Sequence, residues 1–204
     1  NNMNENNFIK NQTGRLVWES HGHYYRFEPN PLPFDFKIDN ILSNTMINTS
    51  INLGRLDGIA NKFTEEQSNL LIKPFLIREA TLSSEIEGTR ATISDVYRSE
   101  KESFKDKRKE LDTEEIKNYM EALKIGIDKE ITENLIKKLH KILLRGVRGY
   151  HKNPGEYKTN QNAIGNREDT FESARFVPAS PASVSFLMSN LIKYINEYEE
   201  TNFL

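Results

Sequence analysis

Between Thr64 and Gly88 the chain has one conformation open to it. The segment "TEEQSNLLIKPFLIREATLSSEIEG" begins with a capping box and closes on a glycine. Thr64 offers its side-chain oxygen to the third amide of the helix, and Gln67 reaches back to the amide of Thr64. Gly88 accepts the left-handed turn that ends a helix. Pro74 removes one donor from the interior, so a bend is expected there. A helix of this length, reading as buried, needs apolar partners, and the rest of the chain supplies them in the same period.

Upstream, "RLVWES HGH YYRFEP" reads as a small β-hairpin, with Val17, Trp18, Tyr24, Tyr25 and Phe27 favouring strands and His21-Gly22 making the turn. From Lys37 the period becomes helical. Ile38, Ile41, Leu42, Met46, Ile47, Ile51 and Leu53 form one face, which winds down around Gly54 and Gly58. Downstream, "TISD" at Thr92 opens a short helix, "DTEE" at Asp112 a longer one, and "ITENLIKKLHKILLRGV" a third. The glycine-rich stretch that follows reads as a loop carrying a β-hairpin over about 154–165. The last helix is opened by "ASPAS", with Ser180 as cap and Pro181 in the first turn. The fold class is therefore mainly α with small hairpins. Three regions are expected: a disordered leader over 1–13, then 14–110, then 111–204.

Composition narrows the function classes. The 28 Lys+Arg residues face 30 Asp+Glu among 204, a net charge of −2. That balance makes no case for nucleic acid or an anionic membrane as partner. With no cysteine in the chain, disulfides, thiolate zinc and a cysteine nucleophile are excluded, and a reducing, cytoplasmic setting fits. No apolar run approaches the roughly 20 residues that span a bilayer.

The common catalytic constellations are missing: there is no phosphate-binding G-x-x-x-x-G-K, no H-E-x-x-H and no nucleophile elbow. His21 and His23 read as exposed turn residues, His140 as a half-buried structural histidine, and His151 has no neighbours that mark it. No metal site is expected. What stands out is "SSEIEG", in which Ser83 lies one turn before Glu87 on the same helix face and Gly88 follows at once. Read from the residues alone, Glu87 is an ordinary solvated carboxylate, or a partner of Arg78 or Arg90.

The motif [ST]-x-x-x-E-[GN] is matched in full by Ser83 to Gly88, and "REATLSSEIEGTRATISDV", "LHKILLRGVRG", "PGEYKTNQNAIG" and "ARFVPASPASVSFLMSNLIKYIN" accompany it. Together these resemble the Fic family, whose members transfer AMP from ATP to a protein hydroxyl. The resemblance covers nearly all of the chain from Gly14 on. It implies a helical Fic-like bundle with an N-terminal domain over 14–110, carrying the inhibitory helix, and the first part of the Fic core over 111–204. Within that core, Asn162, Ala163, Ile164 and Gly165 would lie on the hairpin flap, whose backbone pairs with the target peptide as an added strand.

One departure is large. The family's catalytic motif, H-x-F-x-[DE]-G-N-G-R-x-x-R, is not in these 204 residues; "IGNRED" at Ile164 shares only part of it. The chain is expected to be an amino-terminal portion, without the catalytic loop and later helices, inactive alone and a poor binder of ATP and Mg²⁺. In the complete enzyme the resemblance gives Glu87 a role: it pairs with the motif's second arginine, the group that otherwise holds the γ-phosphate of ATP. Ser83 would assist by hydrogen bonding near the helix end, and Gly88 closes it. A stand-alone module that inhibits a separate Fic enzyme in trans is the alternative. The target protein is the expected partner. Faces such as Phe186, Leu187, Leu191 and Ile195, left without the later helices, would favour self-association into a homo-oligomer.

Overall fold

The computed structural model describes residues 13–34, 38–99, 101–166 and 168–197. The expected leader (save Thr13), the expected helix start at Lys37 and the last helix beyond Glu197 lie outside the described residues. Two compact units divide the chain. One runs to Ile38 and resumes at Tyr157; the other begins at Asp39 and extends through Glu156.

In the first unit, β1 (Gly14–Glu19) and β2 (Tyr24–Pro29) pair antiparallel, from Gly14 opposite Pro29 to Glu19 opposite Tyr24. This is the expected hairpin, with its turn at His21-Gly22 and His23 at a φ of 52°. Leu16 and Phe27, paired across the strands, and Tyr24 at the start of β2 pack with Ala174, Phe176 and Val177 to form a small core. The amide of Phe27 donates to the carbonyl of Val177 at 2.8 Å.

The helix α6 (Pro181–Glu197) starts where its signal places it, with Pro181 first and the Ser180 and Ser183 hydroxyls 3.0 Å apart. Asn190, on α6, exchanges both amide hydrogen bonds with the backbone of Leu32. No residue of α6 is fully buried, and Phe186 and Ile195 are 63% and 50% exposed.

The second unit is helical throughout. Asp39 caps α1 (Asn40–Ala60), accepting from the amide of Leu42. The expected unwinding at Gly54 and Gly58 does not occur, because α1 runs through both. Each glycine faces open space, so the helix loses only about 1 kcal/mol of propensity per glycine and no packing. None of its residues is buried; Ile41 and Leu56 are 78% and 62% exposed.

The capping box of α2 (Glu65–Ile86) forms in both directions between Thr64 and Gln67, and the helix continues past Pro74. Only one of its faces is buried, so the helix that reads as buried is so on one side. Ile77 and Ala80 are sealed against Ala91, Val96 and Ile116, while Leu70, Phe75 and Ile86 stand in solvent. The short helix α3 (Ile93–Ser99) has its capping box between Thr92 and Asp95.

The fourth helix corrects the expected boundary. α4 (Lys107–Gly126) is capped by Asp106, not Asp112. Asp112 and Thr113 are buried inside it, and the Asp112 carboxylate accepts from the amide of Arg90 at 2.8 Å. A residue with the chemistry of a cap thus serves the backbone of another segment. α5 (Glu133–Leu143) is capped by Thr132 as expected.

Candidate functional site

The carboxyl end of α2 carries the motif. Glu87 is its C-cap residue; its amide and those of Gly88 and Thr89 bond back to the carbonyls of Ser84 and Glu85. Gly88 takes a φ of 92°, the left-handed turn expected of it. Among the described residues no ion pair or side-chain hydrogen bond engages the Glu87 carboxylate, and the residue is exposed. Neither Arg78 nor Arg90 pairs with it in this structure.

Ser83 turns the other way. Its hydroxyl donates to Glu79 at 2.8 Å, one turn back, and the Tyr119 hydroxyl reaches the same Glu79 oxygen at 3.4 Å. Ser83 therefore bonds within α2, to the Glu79 that Tyr119 of α4 also reaches, and no bond between it and Glu87 occurs among the described residues.

Glu87 and Ser83 line one side of a cavity of about 560 Å³, whose other walls are Ser84, Thr89, Glu115, Tyr119, Leu143, Leu144, Val147 and Arg148. A larger hollow of about 650 Å³ lies at Glu65, Leu70, Lys73, Pro74 and Tyr97, and none of the expected site residues reaches it.

The cavity wall holds a polar network that the residue pattern did not disclose. Arg148 grips Glu115 with two parallel bonds, Nε to one oxygen at 2.8 Å and Nη2 to the other at 2.6 Å. Thr89, 3% exposed, donates its hydroxyl to Glu115 at 2.6 Å and accepts from Arg148 at 3.1 Å. Asp112 lies 3.7 Å from the same guanidinium. Burial alone would push the Glu115 carboxyl up, but the hydrogen bonds from Arg148 and Thr89, with the charge of Arg148, hold it below the ordinary glutamate value. These residues lie 26 to 59 positions apart, so no local spacing could have found them.

Behind the network, α5 is held by Asn118, which is fully buried. Its amide donates to the carbonyl of Arg145 at 2.9 Å and, more weakly, to that of Leu143. His140 is half-buried and structural, as expected, accepting at Nδ1 from the amide of Gly155.

In the other unit, the expected flap residues lie in a different arrangement. Residues 154–165 form turns, not a hairpin; Ile164 makes a single β-bridge to Phe176, with mutual bonds of 2.8 and 3.1 Å. The reason is visible in the side chains. Lys158 donates to Asn162 and to the carbonyl of Ala179, both at 2.6 Å, and Gln161 donates to the carbonyls of Asn162 and Pro178. The segment is strapped to residues 178 and 179 by side chains, and only Ile164 pairs through backbone. Asn162, Ala163, Ile164 and Gly165 are all exposed. Burial, and then the charge of Arg26, push the Lys158 ammonium down.

The mainly helical architecture and its small hairpin define a Fic-like fold, shared with a Fic family protein from Desulfovibrio desulfuricans G20. That similarity has a TM-score of 0.56 at 18% identity, over 80% of this chain and 47% of that one. Residues 43–128 match the Fic/DOC family N-terminal model. The matched region contains α2, its "SSEIEG" end and all of α4. The chain thus spans about half the length of its structural neighbour. Among curated proteins none matches it.

Proposed function

We propose that this chain is the regulatory, flap-bearing part of a protein adenylyltransferase, and that Glu87 is its inhibitory group. The observation that carries the reading is the state of that carboxylate. It sits at the capped end of a 22-residue helix inside the family-matched region, and no cation among the described residues engages it. An uncommitted carboxylate on a rigid helix end suits a guanidinium supplied from elsewhere, since the two form a bidentate, charge-assisted pair. An arginine so held is withdrawn from the terminal phosphate of a nucleotide.

No group of three potential metal ligands occurs among the described residues, and Arg148, the basic group of the cavity wall, is committed to Glu115. No step of the transfer is therefore assigned to this chain. Its contribution is to hold Glu87 and, through the exposed residues 162–165, to offer backbone to a target protein as an added strand. This reading carries with it a cytoplasmic setting and a protein substrate. No helix of the described residues is long and apolar enough to cross a membrane.

The test is AMP transfer from labelled ATP by the protein expressed from its complete reading frame. Glu87→Gly is expected to raise transfer, and an unchanged rate would sink the inhibitory assignment. A second reading is inhibition of a separate Fic enzyme in trans, to which the same exposed Glu87 carboxylate would be offered. It expects the 204-residue chain, but not its Glu87→Gly variant, to lower transfer by such an enzyme.

A further inference from the structure

Three successive residues at the end of α2 have little packed around them. Ile86 is 85% exposed, Glu87 is exposed, and a Cβ built on Gly88 would meet nothing within 4 Å. A left-handed glycine in open space has no packing to hold its dihedrals, and glycine gives up more backbone freedom than any other residue when it is held. The direction in which Glu87 points therefore depends on the buried residues that bracket it, Ser84 before and Thr89 after.

Of these two, Ser84 belongs to the helix, whereas Thr89 is held from outside it. Its hydroxyl donates to Glu115 on α4 and accepts from Arg148, beyond α5. The next residue is tied as well, because the Arg90 amide donates to Asp112. Two consecutive residues after the glycine are thus anchored to carboxylates one turn apart on α4, and Arg148 faces both carboxylates. The bidentate bond to Glu115 has a second consequence. It uses the Nε and Nη2 donors of Arg148, so the cation that shares a cavity with Glu87 is not available to capture it.

We infer that Thr89, Glu115 and Arg148 form a clamp that positions Glu87 by fixing the exit of α2, while Glu115 keeps the guanidinium of the shared cavity committed elsewhere. All three are positioning residues: none touches a substrate, and they act through the Gly88 turn. The functional half of this inference rests on the inhibitory reading of Glu87; the structural half does not.

The two halves separate experimentally. Amide hydrogen exchange of the 204-residue chain is compared for wild type, Thr89→Val, which keeps the side-chain shape, and Arg148→Gln, which alters a half-exposed side chain that the fold tolerates more easily. Exchange at Gly88 and Arg90 is expected to rise at least about tenfold in both variants, with Ile116 and Asn118 on α4 within about twofold of wild type. Unchanged exchange at Gly88 and Arg90 would overturn the clamp. So would an equal rise throughout α2 and α4, which would make Thr89 and Arg148 general supports.

AMP transfer by the complete-frame protein then tests the consequence. If Glu87→Gly raises transfer, Thr89→Val is expected to raise it partway, with no further gain in the double variant. Release by Glu87→Gly without any by Thr89→Val would refute the positioning role and leave the function of Glu87 standing. If Glu87→Gly changes nothing, the inhibitory reading fails, and the exchange data still decide the clamp.

Discussion

Asn118→Leu removes the polar contacts that hold the end of α5 while keeping a side chain branched at Cγ; leucine is the bulkier residue, so overpacking adds to the loss. Asn118 is fully buried and makes two good bonds, to the Arg145 carbonyl at 2.9 Å and from the Arg145 guanidinium at 3.1 Å, with a weaker one to the Leu143 carbonyl at 3.5 Å. The guanidinium is 54% exposed and can turn to water, so little is lost at that end. The carbonyls at the end of α5 are different. They lack helical partners by position, and an orphaned one costs about 1–3 kcal/mol. A loss of at least about 2 kcal/mol is therefore expected, read by urea denaturation followed by circular dichroism. Arg145→Gln, by contrast, should cost under about 0.5 kcal/mol, because exposed pairs contribute little. A loss below about 0.5 kcal/mol for Asn118→Leu would mean that water serves the Arg145 carbonyl. Equal losses for the two variants would place the stabilisation in the ion pair with Glu121.

Two further outcomes follow from particular groups. Gly88 and Gly155 share a left-handed backbone, at φ of 92° and 85°, but not their surroundings: a Cβ on Gly88 meets nothing, whereas one on Gly155 meets the Lys137 carbonyl at 2.8 Å. Gly88→Ala should cost about 1–2 kcal/mol of strain, and Gly155→Ala at least about 1 kcal/mol more from the forced backbone shift, both read by the same denaturation. The second concerns acid. The folded Glu115 carboxyl is held low, so its contribution is complete above the ordinary glutamate value of about 4.3 and is lost as pH falls through the lower folded value. Stability should then rise with pH across about pH 3–5, and Arg148→Gln should flatten that limb. A residual slope will remain, because Asp95 is also held low by Lys109 and Thr92 against its burial. An unaltered slope in the variant would refute the pairing.

Much of this protein was legible in its residues because the signals are local. Capping boxes at Thr64 and Thr92, the cap Thr132, the proline at 181 and the glycine stop at 88 act over one turn of chain, and each formed where its own neighbours dictate. The same locality explains the error at Asp112. A capping pattern says that an aspartate can accept backbone amides, not which amides, and tertiary contact gave Asp112 the amide of Arg90 in place of its own helix. The segment 154–165 failed for a related reason. Its turn residues are those of a hairpin, but Lys158 and Gln161 reach the carbonyls of residues 178 and 179 and take over what strand pairing would have done.

For the site, sequence alone determined that a carboxylate would stand at a glycine-closed helix end, because the 3.6-residue period and the conformational freedom of glycine settle that within six positions. Only the tertiary structure decided that Tyr119 reaches Glu79, that Arg148 is committed to Glu115, and that Thr89 joins them. Those partners are up to 59 residues apart, and a bidentate bond forms only where folding brings donor and acceptor within about 3 Å of each other.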